Sequence, residues 1–187
     1  MRKKETSIMF KKLVLILPLI TLCACESFTA DRYISTSSNQ AVLKNIHASS
    51  KYEVGPFTPE EDNSISVGCR MAGPIQVAGN GDHAAYIQTA FMDELSNAGI
   101  YKPNSSKIFS AKLKDVSVDT ITPAKWTISG DFFMNDTLVK SVNTQFPFKT
   151  SYSAYGACNN AAENFPYAVE QFLNDFISSP EFQKSVR

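Results

Sequence analysis

A basic N-terminus followed by an apolar run indicates that the first residues of this chain are not part of its folded domain. Five Lys and Arg residues occur in the first 12 positions, and the apolar run Leu13–Leu22 follows them directly. Positive charge before an apolar core of about 10 residues is the arrangement of a secretory signal peptide. A transmembrane helix needs roughly 20 apolar residues, so this run is too short to span a bilayer.

The end of the run resembles a more specific signal. Leu22-Cys23-Ala24-Cys25 is similar to the lipobox of bacterial lipoproteins, which has Leu three positions before the lipidated Cys and a small residue just before it. The resemblance implies that residues 1–24 are removed and that Cys25 becomes the first mature residue, carrying a thioether-linked diacylglycerol. Cys23 is the rival site, but it would place Leu22 where the family has a small residue. A plain signal peptide that ends in Cys by chance is the alternative.

Acylation of Cys25 would hold the protein at a membrane, since several acyl chains bind stably where one binds marginally. In the lipoprotein family, Asp after the lipidated Cys commonly retains a protein in the inner membrane, whereas this chain has Glu26. The resemblance therefore implies the outer membrane of a Gram-negative source, on its periplasmic face.

Charge excludes one class of partner. The leader holds five of the 18 basic and one of the 18 acidic residues, so the mature 163 residues carry 13 basic and 17 acidic side chains, a net charge of −4. Phosphate neutralisation dominates nucleic-acid affinity, so a mildly acidic chain without a Lys/Arg cluster is not expected to bind nucleic acid. Anionic headgroups are equally disfavoured, which leaves the acyl chains as the expected membrane contact.

Two cysteines remain once Cys23 is removed and Cys25 is acylated. In an exported chain, Cys69 and Cys158 predict one disulfide. Closing a loop of about 90 residues would stabilise the fold by roughly 4–5 kcal/mol in the chain-entropy model. A redox or nucleophilic role is the sharper alternative, but neither Cys is in a Cys-x-x-Cys arrangement.

The composition of the mature N-terminus predicts a linker. Residues 26–40 are rich in Ser, Thr, Asn and Gln, a composition typical of a flexible tether. Asn39 is placed to cap a short helix over 41–46. The chain therefore divides into a signal peptide at 1–24, a lipidated tether with a short helix at 25–50, and one domain at 51–187.

The strands of this domain follow from alternating hydrophobicity and turn residues. The predicted strands are 51–57, 65–69, 107–119, 124–134 and 137–150. The apolar phase flips inside the third, which indicates a β-bulge near Lys114-Asp115. Asn135-Asp136 predicts a two-residue hairpin turn, and Pro147 places its strand at a sheet edge or a bulge.

Two amphipathic helices complete the pattern. The first runs from the N-cap Asp82 to the C-cap Gly99, and the second begins near Asn164 or Phe165 with Pro166 in its first turn. This order of elements predicts an α+β fold, a two-layer sandwich in which a mostly antiparallel sheet of four to five strands carries both helices on one face.

The motifs of known chemistry are weak. Gly79-Asn80-Gly81-Asp82 precedes a helix but lacks the Lys-Ser/Thr of a P-loop, so it predicts a turn and a cap. Glu60-Glu61-Asp62 is contiguous, whereas Ca²⁺ loops use alternating positions, and His47 and His83 form no zinc-binding pair. We expect no metal, no cofactor and no enzymatic activity. An envelope hydrolase with two acidic groups or a Ser–His pair is the minor alternative.

Aromatic residues supply the candidate binding surface. Phe133 has the parity opposite to Phe132, and together with Tyr152 and Tyr155 it is predicted to form an exposed patch. Four further aromatic residues share strand parity, which is typical of a core and also fits a face for peptide, lipid or glycan: Trp126, Phe132, Phe146 and Phe148.

The folded part is similar to small uncharacterised lipoproteins of proteobacteria at Cys69-Arg70, in the Tyr86–Tyr101 helix and at Ala157-Cys158. Its element order resembles that of βα-sandwich lipoproteins that assist outer-membrane or lipopolysaccharide assembly. These resemblances imply a non-enzymatic protein that acts by protein–protein contact with an envelope partner in assembly, secretion or maintenance. A periplasmic ligand-binding or inhibitor module, for glycan fragments or a hydrolase, is the alternative.

Overall fold

In the computed structural model the protein is described over residues 27–46, 48, 50–61, 65–79 and 82–187. The signal peptide predicted at 1–24, Cys25, Glu26, His47 and Asp62 lie outside the described residues, as does the Asn80-Gly81 part of the predicted turn. The described part contains seven strands and four helices: β1 Phe28–Ala30, α1 Ser37–Asn45, β2 Glu53–Pro59, β3 Val67–Cys69, β4 Gly73–Val77, α2 His83–Asn97, β5 Ile108–Asp119, β6 Lys125–Met134, β7 Thr137–Pro147, α3 Ala154–Ile177 and α4 Pro180–Val186.

The larger sheet has the strand order β2-β5-β6-β7, with β2 parallel to β5 and the other pairs antiparallel. The register of β5 on β6 shifts between Leu113 and Asp115, so the predicted bulge is confirmed. Asn135 and Asp136 have φ values of 47° and 63°, as the primed hairpin turn requires. Pro147 closes β7, the edge strand, where its missing N–H leaves no gap in a ladder.

A second, smaller sheet has the order β1-β4-β3, so the strands form two sheets instead of the predicted one, and the sequence did not predict β1 or β4. Strand β1 runs parallel to β4, with Phe28 opposite Ile75 and Ala30 opposite Val77, and both β1 residues are buried. The prediction of a flexible tether ahead of a domain starting at residue 51 is therefore wrong for residues 28–46. Three alternating residues are too short a signal to stand out from a Ser/Thr-rich segment.

Helix α1 also differs from its prediction. It begins at Ser37 and is capped by Thr36, whose side chain accepts a hydrogen bond from the Asn39 N–H. Asn39 is fully buried and its side chain donates to Glu94 of α2 and accepts from Asn174 of α3. The polar segment is ordered by hydrogen bonds to the two long helices, a partner set that composition cannot reveal.

Helices α2 and α3 pack on one face of the larger sheet, so the predicted α+β class is confirmed. Phe91 of α2, Phe132 of β6 and Phe176 of α3 are in mutual contact, and the last two rings stack with centroids 3.8 Å apart. Trp126 is fully buried and its Nε1 donates to the Ala161 carbonyl at 2.9 Å. Aromatic residues of inward parity on β6 are thus core.

The predicted start is correct for α2 and wrong for α3. Asp82 caps α2 as predicted, accepting from the Ala85 N–H at 2.7 Å. Helix α3, predicted to start near Phe165, begins at Ala154 after the N-cap Ser153, with Pro166 in its interior. Its first turns bury small residues, whose periodicity is weaker than that of the later Phe residues. None of the described helices is both long and apolar enough to cross a bilayer.

Candidate functional site

Three connections of the chain meet at one end of the larger sheet, which we call the loop end. They are the β3–β4 turn at 70–72, the β5–β6 loop at 120–124 and the β7–α3 segment at 148–153. The predicted disulfide is present here and joins Cys69, the last residue of β3, to Cys158 in α3, with their Cα atoms 5.8 Å apart. A covalent bond therefore connects the smaller sheet to α3 at this end.

Arg70, the residue after Cys69, holds the three connections together. Its Nε donates to Thr120 Oγ1 at 2.9 Å and its Nη2 donates to the Thr120 carbonyl. Further bonds run from Nη2 to Thr150 Oγ1 at 3.3 Å and from Nη1 to the Tyr152 carbonyl at 3.4 Å. Because the planar fork of donors is used within the protein, Arg70 is a structural residue of the loop end rather than a free anion-binding group.

Apolar side chains are concentrated on the surface of the loop end. Three of the eight exposed large hydrophobic residues among the described residues lie in these connections, namely Met71, Ile121 and Tyr152, and a fourth, Tyr155, lies beside them in the first turn of α3. Met71 and Tyr152 are essentially fully exposed, at 106% and 107%. A cleft of about 640 Å³ opens beside them, lined in part by Arg70, Ile121 and Tyr152. Apolar exposure of this kind is typical of a contact surface.

Phe133 does not join Tyr152 and Tyr155, so the prediction of one aromatic patch needs correction. Phe133 has the predicted outward parity, but it lies opposite Leu138 at the far end of β6, beside the hairpin turn. Tyr152 follows Pro147, which pairs with Lys125 at the start of β6. Lys125 and Phe133 are eight residues apart along β6, so at about 3.3 Å per residue the two places are separated by about 26 Å. Strand parity predicts the face of a side chain, not its position along the strand.

Phe133 instead belongs to a second apolar group, the hairpin-end patch, formed by Ile108, Phe133 and Leu138. Leu138 is 53% exposed, Ile108 is exposed and Phe133 is half-buried. The patch lies on the outward face of a sheet that is otherwise polar: Lys114 Nζ lies 2.8 Å from Asp131 Oδ2 and, with Ser141, lowers the pKa of the Asp131 carboxyl. An apolar group on a charged face is a candidate for contact with another macromolecule.

A buried carboxylate fixes the N-terminal segment to α2. Glu94 is fully buried, and its Oε1 accepts hydrogen bonds from the Tyr33 hydroxyl and, at 3.2 Å, from Asn39 Nδ2. Its Oε2 accepts from Gln40 Nε2, which also donates to the Glu94 carbonyl at 2.9 Å. Burial raises the pKa of the Tyr33 hydroxyl, which remains a donor to the carboxylate. These bonds give Glu94 a structural role.

Beside this network lies a cleft of about 420 Å³, the Arg32 cleft, whose lining is mainly apolar and includes the polar groups of Arg32, Tyr33, Tyr86 and Asp93. Burial raises the pKa of the Tyr86 hydroxyl, which donates to the Asp31 carbonyl at 2.7 Å, and of the Asp93 carboxyl. One guanidinium, one carboxylate and two phenols can orient a small polar ligand by hydrogen bonds. The sequence did not predict this cleft, because Arg32 and Tyr33 fall in the segment read as a tether.

His83 offers no base for catalysis at the surface. It is buried at the start of α2, its ring packs edge-on against Phe165, and desolvation lowers the pKa of its imidazole. Within the described ranges, no group of three or more His, Cys, Asp or Glu residues is arranged to hold a metal ion.

The fold has known counterparts. The chain is similar to protein XCC0632 from Xanthomonas campestris, a DUF330 protein of known crystal structure, with a TM-score of 0.52 and 10% sequence identity over 86% of this chain and 96% of that chain. A crystal structure of an uncharacterised protein matches with a TM-score of 0.42 and 10% identity over 78% of this chain and 95% of that chain. No family model matches the sequence, and no curated protein matches it.

The similarity to XCC0632 shows a shared fold and agrees with the resemblance to small uncharacterised proteins of proteobacteria. At 10% identity it says nothing about activity, ligand or lipidation, because one fold serves many functions.

Proposed function

We propose that this protein is a lipid-anchored, non-enzymatic outer-membrane lipoprotein that acts by protein–protein contact in envelope assembly, secretion or maintenance. The observation that carries the proposal is the lipobox Leu22-Cys23-Ala24-Cys25 with Glu26 after it. Acyl chains on Cys25 supply the membrane attachment, and the folded domain supplies the contact with an envelope protein.

The position of the hairpin-end patch supports this proposal. Strand β1 begins at Phe28, three residues after Cys25, and the patch lies at the opposite end of the larger sheet from the loop end that β1 adjoins. An anchored domain would present the patch away from the membrane, where a second protein can reach it. Large apolar side chains near the centre of a contact contribute most of the binding free energy, and charged residues at its margin exclude wrong partners.

The partner that fits this patch is a protein with an apolar pocket for Leu138 and a polar rim facing Lys114 and Asp131. Both members of that ion pair lie on the same face of the sheet and are partly exposed. Such a rim is expected to set orientation more than affinity.

Photo-crosslinking in intact envelopes tests the proposal. The full-length acylated protein carries p-benzoylphenylalanine in place of Leu138, and a matched variant carries it in place of Asn143, which is exposed on the same face of β7. We expect one stoichiometric protein adduct from position 138, at most a weak one from position 143, and loss of the adduct when Phe133→Ser is added.

The role of Leu138 can also be tested in cells. A deletion strain is expected to have altered envelope permeability, restored by the wild-type gene and not by Leu138→Glu. Since Leu138 is exposed, this variant should fold as stably as the wild type. Absence of any protein adduct together with normal permeability in the deletion strain would overturn the proposal.

The Arg32 cleft favours a second candidate, a periplasmic ligand-binding or inhibitor module for glycan fragments. Arg32, Tyr86 and Asp93 provide donors and acceptors suited to hydroxyl and carboxylate groups. A rise in melting temperature with muropeptides that disappears in Arg32→Ala would favour this candidate over protein–protein contact.

A further inference from the structure

We propose that the loop end rests on the lipid surface, with Met71, Ile121, Tyr152 and Tyr155 in contact with the headgroup region. The inference deepens the proposed function and rests on lipidation of Cys25. It assigns the loop end to lipid and leaves the hairpin-end patch for protein.

The direction of β1 is the first step. Strand β1 is parallel to β4, and Phe28 lies opposite Ile75. The N-terminal end of β1 therefore lies toward the end of β4 that begins at Gly73, next to the turn that carries Met71. The contact between the Phe28 and Tyr155 rings, with centroids 5.7 Å apart, places the start of β1 beside the loop end by a second route.

Covalent geometry is the second step. Cys25 precedes Phe28 by three residues, and a chain spans at most about 3.6 Å per residue, so the two Cα atoms are no more than about 11 Å apart. Acyl chains on Cys25 are inserted in the hydrocarbon, whereas the Phe28 backbone is fixed in the smaller sheet. The start of β1 is thus held within about 11 Å of the anchored residue, a distance comparable to the roughly 5–8 Å thickness of each polar region of the bilayer.

The chemistry of the surface is the third step. Two tyrosines, one methionine and one isoleucine are the types of side chain that contact the membrane interface, since phenol rings place an apolar body and a polar tip at headgroup depth. Two charged groups of this region make internal hydrogen bonds. Arg70 is consumed by internal hydrogen bonds, and Asp119 accepts the Ile121 N–H at 2.8 Å.

The rigidity of the loop end also fits a lipid contact. The disulfide and the Arg70 bonds hold the three connections in place while their apolar side chains remain outside the core. Little conformational entropy is lost when a preformed surface binds, so a modest apolar area is enough to orient a domain that is already anchored.

Site-specific fluorescence tests the inference on the full-length acylated protein. Tyr152→Cys is labelled with an environment-sensitive NBD probe, and Leu138→Cys is labelled as the matched control at the hairpin end. The protein is reconstituted in vesicles of phosphatidylethanolamine and phosphatidylglycerol with or without doxyl-labelled lipid. We expect a blue-shifted emission at position 152 that doxyl lipid quenches several-fold, and an unshifted, unquenched emission at position 138.

The outcomes separate the two proposals. Mass spectrometry of the same sample first establishes the acyl groups on Cys25, and their absence refutes the anchor itself. With the anchor present, equal quenching at positions 152 and 138, or quenching at neither, overturns the lipid contact and leaves the proposed function standing. A probe at 152 that is blue-shifted in native envelopes but unquenched by doxyl lipid would show a protein occupant, which also overturns it.

Discussion

The loop end and the hairpin end of the larger sheet are fixed by different kinds of interaction. At the hairpin end, two consecutive residues with positive φ, Asn135 and Asp136, turn the chain, and Asn135 Oδ1 accepts the Ile108 N–H at 2.8 Å. At the loop end, a disulfide between residues 89 positions apart and the bonds of one arginine hold three separate connections. One end is set by local turn chemistry and the other by long-range bonds.

Because of this difference, the apolar side chains of the two surfaces are held in place in different ways. The hairpin-end patch lies on regular strands, whose backbone hydrogen bonds already fix the side chains. The apolar residues of the loop end lie on irregular segments, which lose their geometry unless other bonds restrain them. Substitutions at each end can test whether its stability depends on these interactions.

Removal of the disulfide should have the largest effect and should act through the loop end. The double variant Cys69→Ser/Cys158→Ser frees a loop of about 90 residues and is expected to lower the free energy of unfolding by about 4 kcal/mol. Urea unfolding in oxidising buffer measures it. Dithiothreitol should shift the wild type to the same midpoint and leave the variant unmoved; a wild type insensitive to reduction would contradict the assignment.

Replacement of Arg70 should have the next largest effect. Arg70→Met removes four charge-assisted hydrogen bonds and is expected to cost about 2 kcal/mol, with faster amide exchange in residues 120–124 and unchanged exchange in the β6–β7 hairpin. Arg70→Lys should recover only part of this, since an ammonium lacks the planar fork.

The matched control for Arg70→Met lies at the other end. Lys140→Met removes the partly exposed pair between Lys140 and Glu181, 3.0 Å apart, and should lower the free energy of unfolding far less than Arg70→Met does. If Arg70→Met and Lys140→Met lowered the free energy of unfolding equally, the loop end would not depend on Arg70 more than the hairpin end depends on its ion pair.

The smallest expected effect is a gain at the hairpin turn. Asp136 has a φ of 63°, a conformation that glycine adopts without steric cost. Asp136→Gly should raise the free energy of unfolding by about 0.5 kcal/mol and Asp136→Ala should lower it, because alanine is strained at positive φ. Thermal unfolding of the three proteins measures this. A gain from alanine would show that side-chain contacts, not backbone strain, control the turn.

The sequence predicts the elements that local chemistry determines. The bulge in β5 is visible as a phase flip, the hairpin turn as Asn135-Asp136, and the start of α2 as the cap Asp82. Each signal lies within a few residues of its structural consequence. The disulfide is predictable for a different reason, since only Cys69 and Cys158 lie outside the segment that resembles a lipobox.

The features that the sequence does not predict depend on distant partners. Strand β1 has three residues and is stabilised by β4, whose residues lie about 45 positions away. Asn39 looks like a cap in the sequence, whereas its partners Glu94 and Asn174 come from two other helices. The Cys69-Arg70 pair resembles that of small proteobacterial lipoproteins. The structural role of Arg70, however, depends on hydrogen bonds to Thr120 and Tyr152, which are distant in the sequence. The same limit applies to the aromatic patch, which parity alone could not place.

The hydrogen bond between Asn174 and Asn39 spans 135 residues, and this separation orders events during synthesis. A ribosome makes Asn39 first, yet Glu94 and Asn174 emerge long afterwards. Strand β1 can pair with β4 early, whereas the segment at 31–46 lacks part of its partner set until almost the whole chain has been made. Its Ser, Thr, Asn and Gln content then has a use beyond the folded state, because polar residues keep the incompletely paired segment from aggregating.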